Sequence, residues 1–201
     1  TEVDFSACGI GPVALGHLGE WVREARAAVN SVTVDGNPIG CPSSATLKPG
    51  AVTGIEVKKG VFAAVDGRLG EVTQDPDSDS EVKLRWLDDG SEGKFGGRSY
   101  IKTDKLTSVV ASRTDLIEDY SHIRSLGEAL SGSKVQTYGF ANCKFSPVSL
   151  ATFVESVRWA DAALTSINCL ANEFGDDDLA TLLTAIEGTS VRSLCGLTEG
   201  K

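Results

Sequence analysis

The chain has 201 residues, a formal net charge of −9 and five cysteines. The acidic balance argues against nucleic acid as a main partner, because phosphate contacts need clustered cations, and no apolar run approaches the roughly 18 residues that a membrane span requires. No C-x-x-C pair exists, so neither a zinc ribbon nor a thioredoxin-like site is indicated. A reducing compartment is expected, either cytosol or an organelle stroma such as that of a chloroplast.

In chain order, Val3, Phe5, Cys8, Ile10 and Gly11 come first, followed by a helical stripe of Val13, Leu15, Leu18, Trp21, Val22 and Ala25. Val29, Val32, Val34, Asn37, Ile39 and Gly40 then repeat the first phrase and fit L-x-x-L-x-L-x-x-N-x-(I/L)-G at every position. After a long interval comes a stretch read as a helix, Leu116–Leu130, carrying Ile117, Ile123, Leu126 and Leu130. Val135, Tyr138, Phe140, Cys143 and Phe145 form a third phrase, and Leu150, Phe153, Val154 and Val157 a second stripe. Leu164, Ile167, Cys169, Asn172, Phe174 and Gly175 form a fourth, with Leu179, Leu182, Leu183 and Ile186 behind it. Val191, Leu194 and Gly196 look like a decaying fifth.

The spacing of apolar residues in each phrase predicts a short strand with one buried face. Asn37 and Asn172, with Cys8 and Cys143 in the same position, stand where the chain leaves that strand, and an amide there can hydrogen-bond the backbone of the turn. Pro12 and Pro147 near helix starts lack an N–H that would be unsatisfied in any case. Asp176, Asp177 and Asp178 place negative charge at the start of the last helix.

These phrases, with a strand and a helix every 28 or 29 residues, resemble leucine-rich repeats of the ribonuclease-inhibitor-like class. The resemblance implies an α/β fold, a short solenoid with a parallel sheet inside and helices outside, and a protein whose business is binding other proteins. The chain begins inside a repeat and contains no methionine, which reads as a fragment or a processed product.

Asn37 and Cys143 are 106 residues apart, one repeat plus about 77. The solenoid is therefore expected over residues 1–40 and 114–201, with a separate module over 41–113. Within it, Val52–Val57, Val61–Val65, Leu69–Thr73, Val82–Trp86 and Tyr100–Ile101 read as strands separated by turn sequences. Five short strands in so small a segment suggest a barrel. Asp66-Gly67-Arg68-Leu69-Gly70-Glu71-Val72, Val82-Lys83-Leu84-Arg85-Trp86 and Tyr100-Ile101-Lys102 resemble SH3-like barrels of the Tudor, KOW or mind-bomb type. Such barrels bind peptides or modified side chains through aromatic walls, and Trp86, Tyr100 and Phe62 are the aromatics at hand, although filling a small core is the commoner task of each. Lys58, Lys59, Lys83, Arg85, Lys94, Arg98, Lys102 and Lys105 are interspersed with carboxylates, as in a solvated mixed surface.

No motif supports catalysis, a cofactor or a metal. Gly9-Ile10-Gly11 misses the dinucleotide-binding spacing. The run Asp75–Glu81 begins like a calcium loop but has Ser80 and Trp86 where glycine and glutamate are required, so an acidic hairpin turn is expected. His17 and His122 lack a nucleophile or carboxylate motif beside them. On the inner face of the predicted sheet the alternating positions are Asp4, Ser6, Thr33, Asp35, Gln136, Gly139, Ala141, Thr165, Asn168 and Leu170, a set without aromatic or arginine anchors. The expected function is a non-catalytic interaction or scaffold protein. The alternative is a peripheral structural subunit of a large complex, associated with a membrane only through its partners. The pairing of repeats with an inserted barrel resembles proteins of algae and related protists, which implies a photosynthetic assembly as one host.

Overall fold

The computed structural model describes residues 1–25, 29–93 and 100–198. The chain divides into two compact units, one made of Thr1–Ser43 with Tyr120–Lys201 and the other of Ser44–Asp119. The first unit begins with β1 (Glu2–Asp4), α1 (Pro12–Glu24) and β2 (Ser31–Thr33). The second holds β3 (Ser44–Leu47), β4 (Phe62–Val65), β5 (Arg68–Val72), β6 (Glu81–Val82), β7 (Leu84–Trp86), β8 (Ile101–Lys102), β9 (Ser108–Val110) and β10 (Leu116–Asp119). The chain then returns to the first unit through α2 (Ser121–Ser131), β11 (Thr137–Gly139), α3 (Pro147–Ser156), β12 (Ser166–Asn168), α4 (Asp176–Ile186), β13 (Ser193–Leu194) and β14 (Leu197–Thr198).

The first unit is mixed α/β: among the described residues it has five parallel strands in the order β1, β2, β11, β12, β13, with β14 added antiparallel to β13, and four helices. Register follows the sequence phrase. Val3, Val32, Tyr138, Ile167 and Leu194 stand side by side as one rung, and Asp4, Thr33, Gly139 and Asn168 as another. A slip of one residue would turn the whole apolar rung to the opposite face, so burial of the first rung fixes the register. Val32, Tyr138 and Ile167 are fully buried, in a core shared with Leu15, Ile123, Leu126, Leu150 and Leu182 from the helices. Tyr138, Phe140, Phe145 and Phe153 pack ring to ring, with neighbouring centroids 4.7 to 5.9 Å apart for Phe140–Phe145, Phe140–Phe153, Tyr138–Phe140 and Tyr138–Phe153.

Small residues set the distance between helices. A Cβ on Gly127 of α2 would land on the Ser156 side chain of α3, and one on Gly19 of α1 would press on the backbone of Leu126. The helix starts follow local chemistry. Pro147 opens α3 behind a Ser146–Ser149 capping box, and the Asp178 carboxylate accepts the Gly175 N–H at 2.9 Å at the start of α4.

Among the described residues every strand pair of the second unit is antiparallel, with a four-stranded sheet β7-β5-β4-β9 and the pairs β3–β10 and β6–β8. It contains two apolar clusters, one around Val61, Val65, Val72, Leu84 and Trp86, the other around Phe62, Leu69, Leu87, Val110 and Leu116.

Three expectations about elements need correction. The helix read from Leu116 starts at Ser121, and Leu116–Asp119 is strand β10 paired with β3. Ile117, half exposed on that strand, belongs to no helical stripe. Val52–Val57 forms no strand: Gly54 sits at φ +76° in its middle, a left-handed conformation that breaks the pleat. β9, at Ser108–Val110, lies in a segment for which the sequence reading offered no strand.

Candidate functional site

Strands β1, β2, β11 and β12 each leave the sheet through a turn that presents one side chain, in order Cys8, Asn37, Cys143 and Asn172; Cys8 is exposed, and the other three bond the backbone of the preceding turn. Just before each of these side chains, Ala7, Gly36, Asn142 and Ala171 all adopt left-handed φ between +51° and +74°. Asn37 is fully buried. Its amide donates to the carbonyls of Phe5 and Val34, both at 2.8 Å, and its Oδ1 accepts the Ile10 N–H at 2.9 Å. Asn172 repeats the arrangement one strand pair further on: Nδ2 donates to the Phe140 and Cys169 carbonyls, and Oδ1 accepts from the N–H groups of Cys143 and Phe145. Each asparagine thus ties its own turn to the preceding one and satisfies buried backbone groups that would otherwise cost about 1–3 kcal/mol each.

Cys143 holds the same place with different means. Its thiol donates to the Val34 carbonyl at 3.2 Å, the contact that corresponds to Asn37 with Phe5. A thiol has no counterpart of Oδ1. Instead, Lys144 takes a left-handed φ of +63°, and the main-chain carbonyl of Cys143 accepts the Gly40 N–H at 2.8 Å. The flipped peptide thus holds the preceding turn by Gly40, one residue beyond Ile39, the counterpart of the Ile10 that the Asn37 amide oxygen holds. Close approach follows, since a Cβ on Gly40 would fall on the backbone of Lys144 and Phe145. Burial pushes the Cys143 thiol up to about 11 and raises the Tyr138 phenol well above its ordinary range. The Tyr138 hydroxyl has no hydrogen-bond partner among the described residues.

On the opposite face of the sheet, the structure brings together Asp35 and Asn168. Asp35 Oδ1 accepts the Ala141 N–H at 2.7 Å, and Oδ2 lies 3.4 Å from Asn168 Nδ2. Gly139 leaves room between them, for a Cβ there would stand 3.0 Å from Asp35 Oδ1. Gln136 is exposed and precedes β11. Its backbone carbonyl accepts the N–H groups of Thr165 and Ser166. Asp35 and Asn168 therefore hold the surface in shape, while the Gln136 side chain is exposed at the other end of the strand.

The aromatics of the second unit do not gather into one open pocket. Trp86 is 1% exposed inside one cluster and Phe62 is buried in the other. The Arg68 guanidinium lies 4.5 Å from the centre of the Trp86 ring and covers it. Tyr100 is 39% exposed, with the Lys83 ammonium 5.0 Å from its ring centre, and is the open aromatic of the three. Two arginines of this unit are paired: Arg68 grips Asp88 through Nε and Nη2 at 2.8 and 2.6 Å and reaches Asp89, and Arg85 meets Glu71 at 2.7 Å. Lys94 and Arg98 lie outside the described residues. In the acidic turn, Asp77 Oδ1 accepts the N–H groups of Asp79 and Glu81, so that carboxylate oxygen closes the hairpin.

Of the two histidines, His17 is exposed beside Glu20, and the buried His122 donates from Nε2 to the Ile39 carbonyl at 3.0 Å. Sequence reasoning gave no warning of an apolar groove of about 600 Å³ at the end of the parallel sheet, between α4 and the β13–β14 hairpin. Leu183 and Leu197 line it and are 48% and 76% exposed. Among the described residues no helix is long and apolar enough to cross a membrane. Comparison with protein-family models, with curated proteins and with solved structures returns no match.

Proposed function

We propose that this chain is a non-catalytic protein–protein interaction scaffold: a short leucine-rich-repeat solenoid of the ribonuclease-inhibitor-like class, interrupted in sequence by an SH3-like barrel. One observation carries the reading. The polar groups placed most carefully, Asn37, Cys143 and Asn172, hydrogen-bond backbone of their own and the preceding turn, and so serve architecture rather than chemistry. A sheet face of small polar side chains is left for a broad, shallow contact, and Gln136 and Thr165 are exposed at its edge, just before β11 and β12. The test is the native mass of the chain in an extract of its source cells, for wild type and for the double variant Gln136→Arg, Thr165→Arg. Wild type should travel in an assembly that the variant leaves. A wild-type monomer, or a variant that stays in the assembly, overturns the reading.

The open groove between α4 and the β13–β14 hairpin favours a second reading, that of a structural subunit whose neighbour covers those leucines. In that case Leu183→Asp with Leu197→Asp, rather than the sheet-edge pair Gln136 and Thr165, releases the chain.

A further inference from the structure

Two of the five thiols face each other. Cys169 follows β12 and Cys195 follows β13, and their Sγ atoms are 3.3 Å apart. Cys195 is held there by its own backbone, whose N–H donates to the Ile167 carbonyl at 2.7 Å, and its sulfur accepts the Cys169 N–H at 3.4 Å. Cys195 and Gly196, both left-handed at φ +53° and +81°, form the turn of the β13–β14 hairpin. Cys143, by contrast, is engaged with the Val34 carbonyl, and Cys8 is exposed near the Ser6 carbonyl. Only a closing of roughly 1.3 Å separates the 169–195 pair from bonding distance.

We propose that Cys169 and Cys195 form a reversible intramolecular disulfide that pins the β13–β14 hairpin to β12. The oxidant is a low-molecular-weight disulfide of the glutathione class. The half-buried Cys195 loses its proton and attacks one sulfur of the oxidant, forming a mixed disulfide and expelling a thiolate. Cys169, 3% exposed and reached only from within, then loses its proton to solvent and attacks the Cys195 sulfur, expelling the second thiolate. Two protein thiols are oxidised and one small disulfide is reduced to two thiols. Burial, with the neighbouring Cys195, pushes the Cys169 thiol up to about 12, so it stays protonated at neutral pH and the second step is the slow one. The closed loop contains α4 and one wall of the apolar groove, so oxidation stiffens that groove. This holds whether or not the chain is an interaction scaffold.

The experiment uses the full chain with oxidised glutathione at pH 8. Remaining thiols are then blocked in denaturant, and the peptides are mapped by mass. The reduced chain takes up five blocking groups. In the oxidised chain Cys169 and Cys195 should take up no blocking group and should yield a linked peptide joining the two, which dithiothreitol separates, while any glutathione on the exposed Cys8 is mapped apart. Amide exchange across Asp176–Ile186 should slow several-fold on oxidation. In Cys169→Ala, glutathione should remain on Cys195, trapped at the first step. If Cys169 and Cys195 are both still blocked in the treated wild type, or if either is linked to a different cysteine, the proposal is overturned. The wild-type map decides this without any variant.

Discussion

Asn37, Cys143 and Asn172 lie within the parallel-stranded unit and hold its turns, whereas in the antiparallel unit Arg68, Arg85, Glu71, Asp88 and Asp89 stay at the surface and the interior is apolar. The difference follows from chain geometry. Antiparallel neighbours such as β4 and β5 join through the tight turn Asp66-Gly67, with φ +49° and +83°, so few backbone groups are stranded inside. Parallel neighbours need a crossover, and each strand must leave the sheet through a turn buried against the next. Backbone N–H and C=O groups there have no ladder partner, and a side chain has to supply one. A parallel sheet of this kind needs an interior polar ladder, while the antiparallel unit depends on the volume of its core.

The largest effects test that contrast directly. Asn37→Ala strands the Ile10 N–H and the Phe5 and Val34 carbonyls, and should cost on the order of 4 kcal/mol. Trp86→Ala empties a core position and should also cost about 4 kcal/mol. Equal losses are to be separated by rescue. Trp86→Phe restores volume and should recover more than half the loss, while Asn37→Leu restores volume without donors or acceptors and should recover little. Urea unfolding, read by amide exchange within each unit, measures both. An Asn37→Leu variant as stable as wild type would show that the ladder is dispensable.

The same contrast explains how much could be read from the residues alone. The rung positions were legible, because Val3, Val32, Tyr138, Ile167 and Leu194 recur at fixed spacing and the structure aligns them side by side. The left-handed residues before each ladder position were not. Gly36 announces itself, but Ala7 and Ala171 carry no turn preference and are forced into place by the bonds that follow them. Asn and Cys looked interchangeable in sequence, and only the Lys144 flip shows how a thiol manages without an amide oxygen. In the antiparallel unit, Leu116-Ile117 preceded a helical stripe at compatible spacing and was absorbed into it; such short apolar runs do not distinguish strand from helix. Trp86, Phe62 and Tyr100 read alike as aromatics, and which one stays open depends on distant packing, such as Arg68 lying over Trp86. Nor did the decaying last phrase reveal that Cys195 would turn back toward Cys169.

Alkaline pH should separate the two units by a smaller amount. Burial, the dominant cause, raises the folded-state thiols of Cys143 and Cys169 to about 11 and about 12, from an ordinary value of about 9. The folded state therefore keeps protons that the unfolded chain gives up. The stability these thiols contribute is fully present below pH 9, and falls as pH rises through the window from about 9 to about 12, by up to about 1.4 kcal/mol per pH unit for each. Between pH 8 and about pH 9.7 the two thiols together should cost the parallel-stranded unit on the order of 2 kcal/mol. In Cys143→Ser with Cys169→Ala, referred to its own pH 8 value, most of that slope should vanish, because nothing buried in those places titrates. An unchanged slope in the double variant would mean that surface groups cause it.

The smallest effect belongs to the surface of the antiparallel unit. Arg68 has two-pronged geometry to Asp88, a further contact to Asp89, and the Trp86 ring beneath it. Even so, its side chain is 37% exposed and that of Asp88 is 46% exposed, so water and salt screen the attraction. Arg68→Ala should cost only about 1 kcal/mol, a fraction of the loss expected at Asn37 although more contacts are deleted. In about 1 M salt the difference from wild type should shrink by roughly half, because the ion pairs are screened while the guanidinium still shields the indole ring. Urea midpoints of the two chains at low and high salt give the numbers. A loss above about 3 kcal/mol that is independent of salt would show that Arg68 is a buried structural element, and that the antiparallel unit too relies on an interior polar contact.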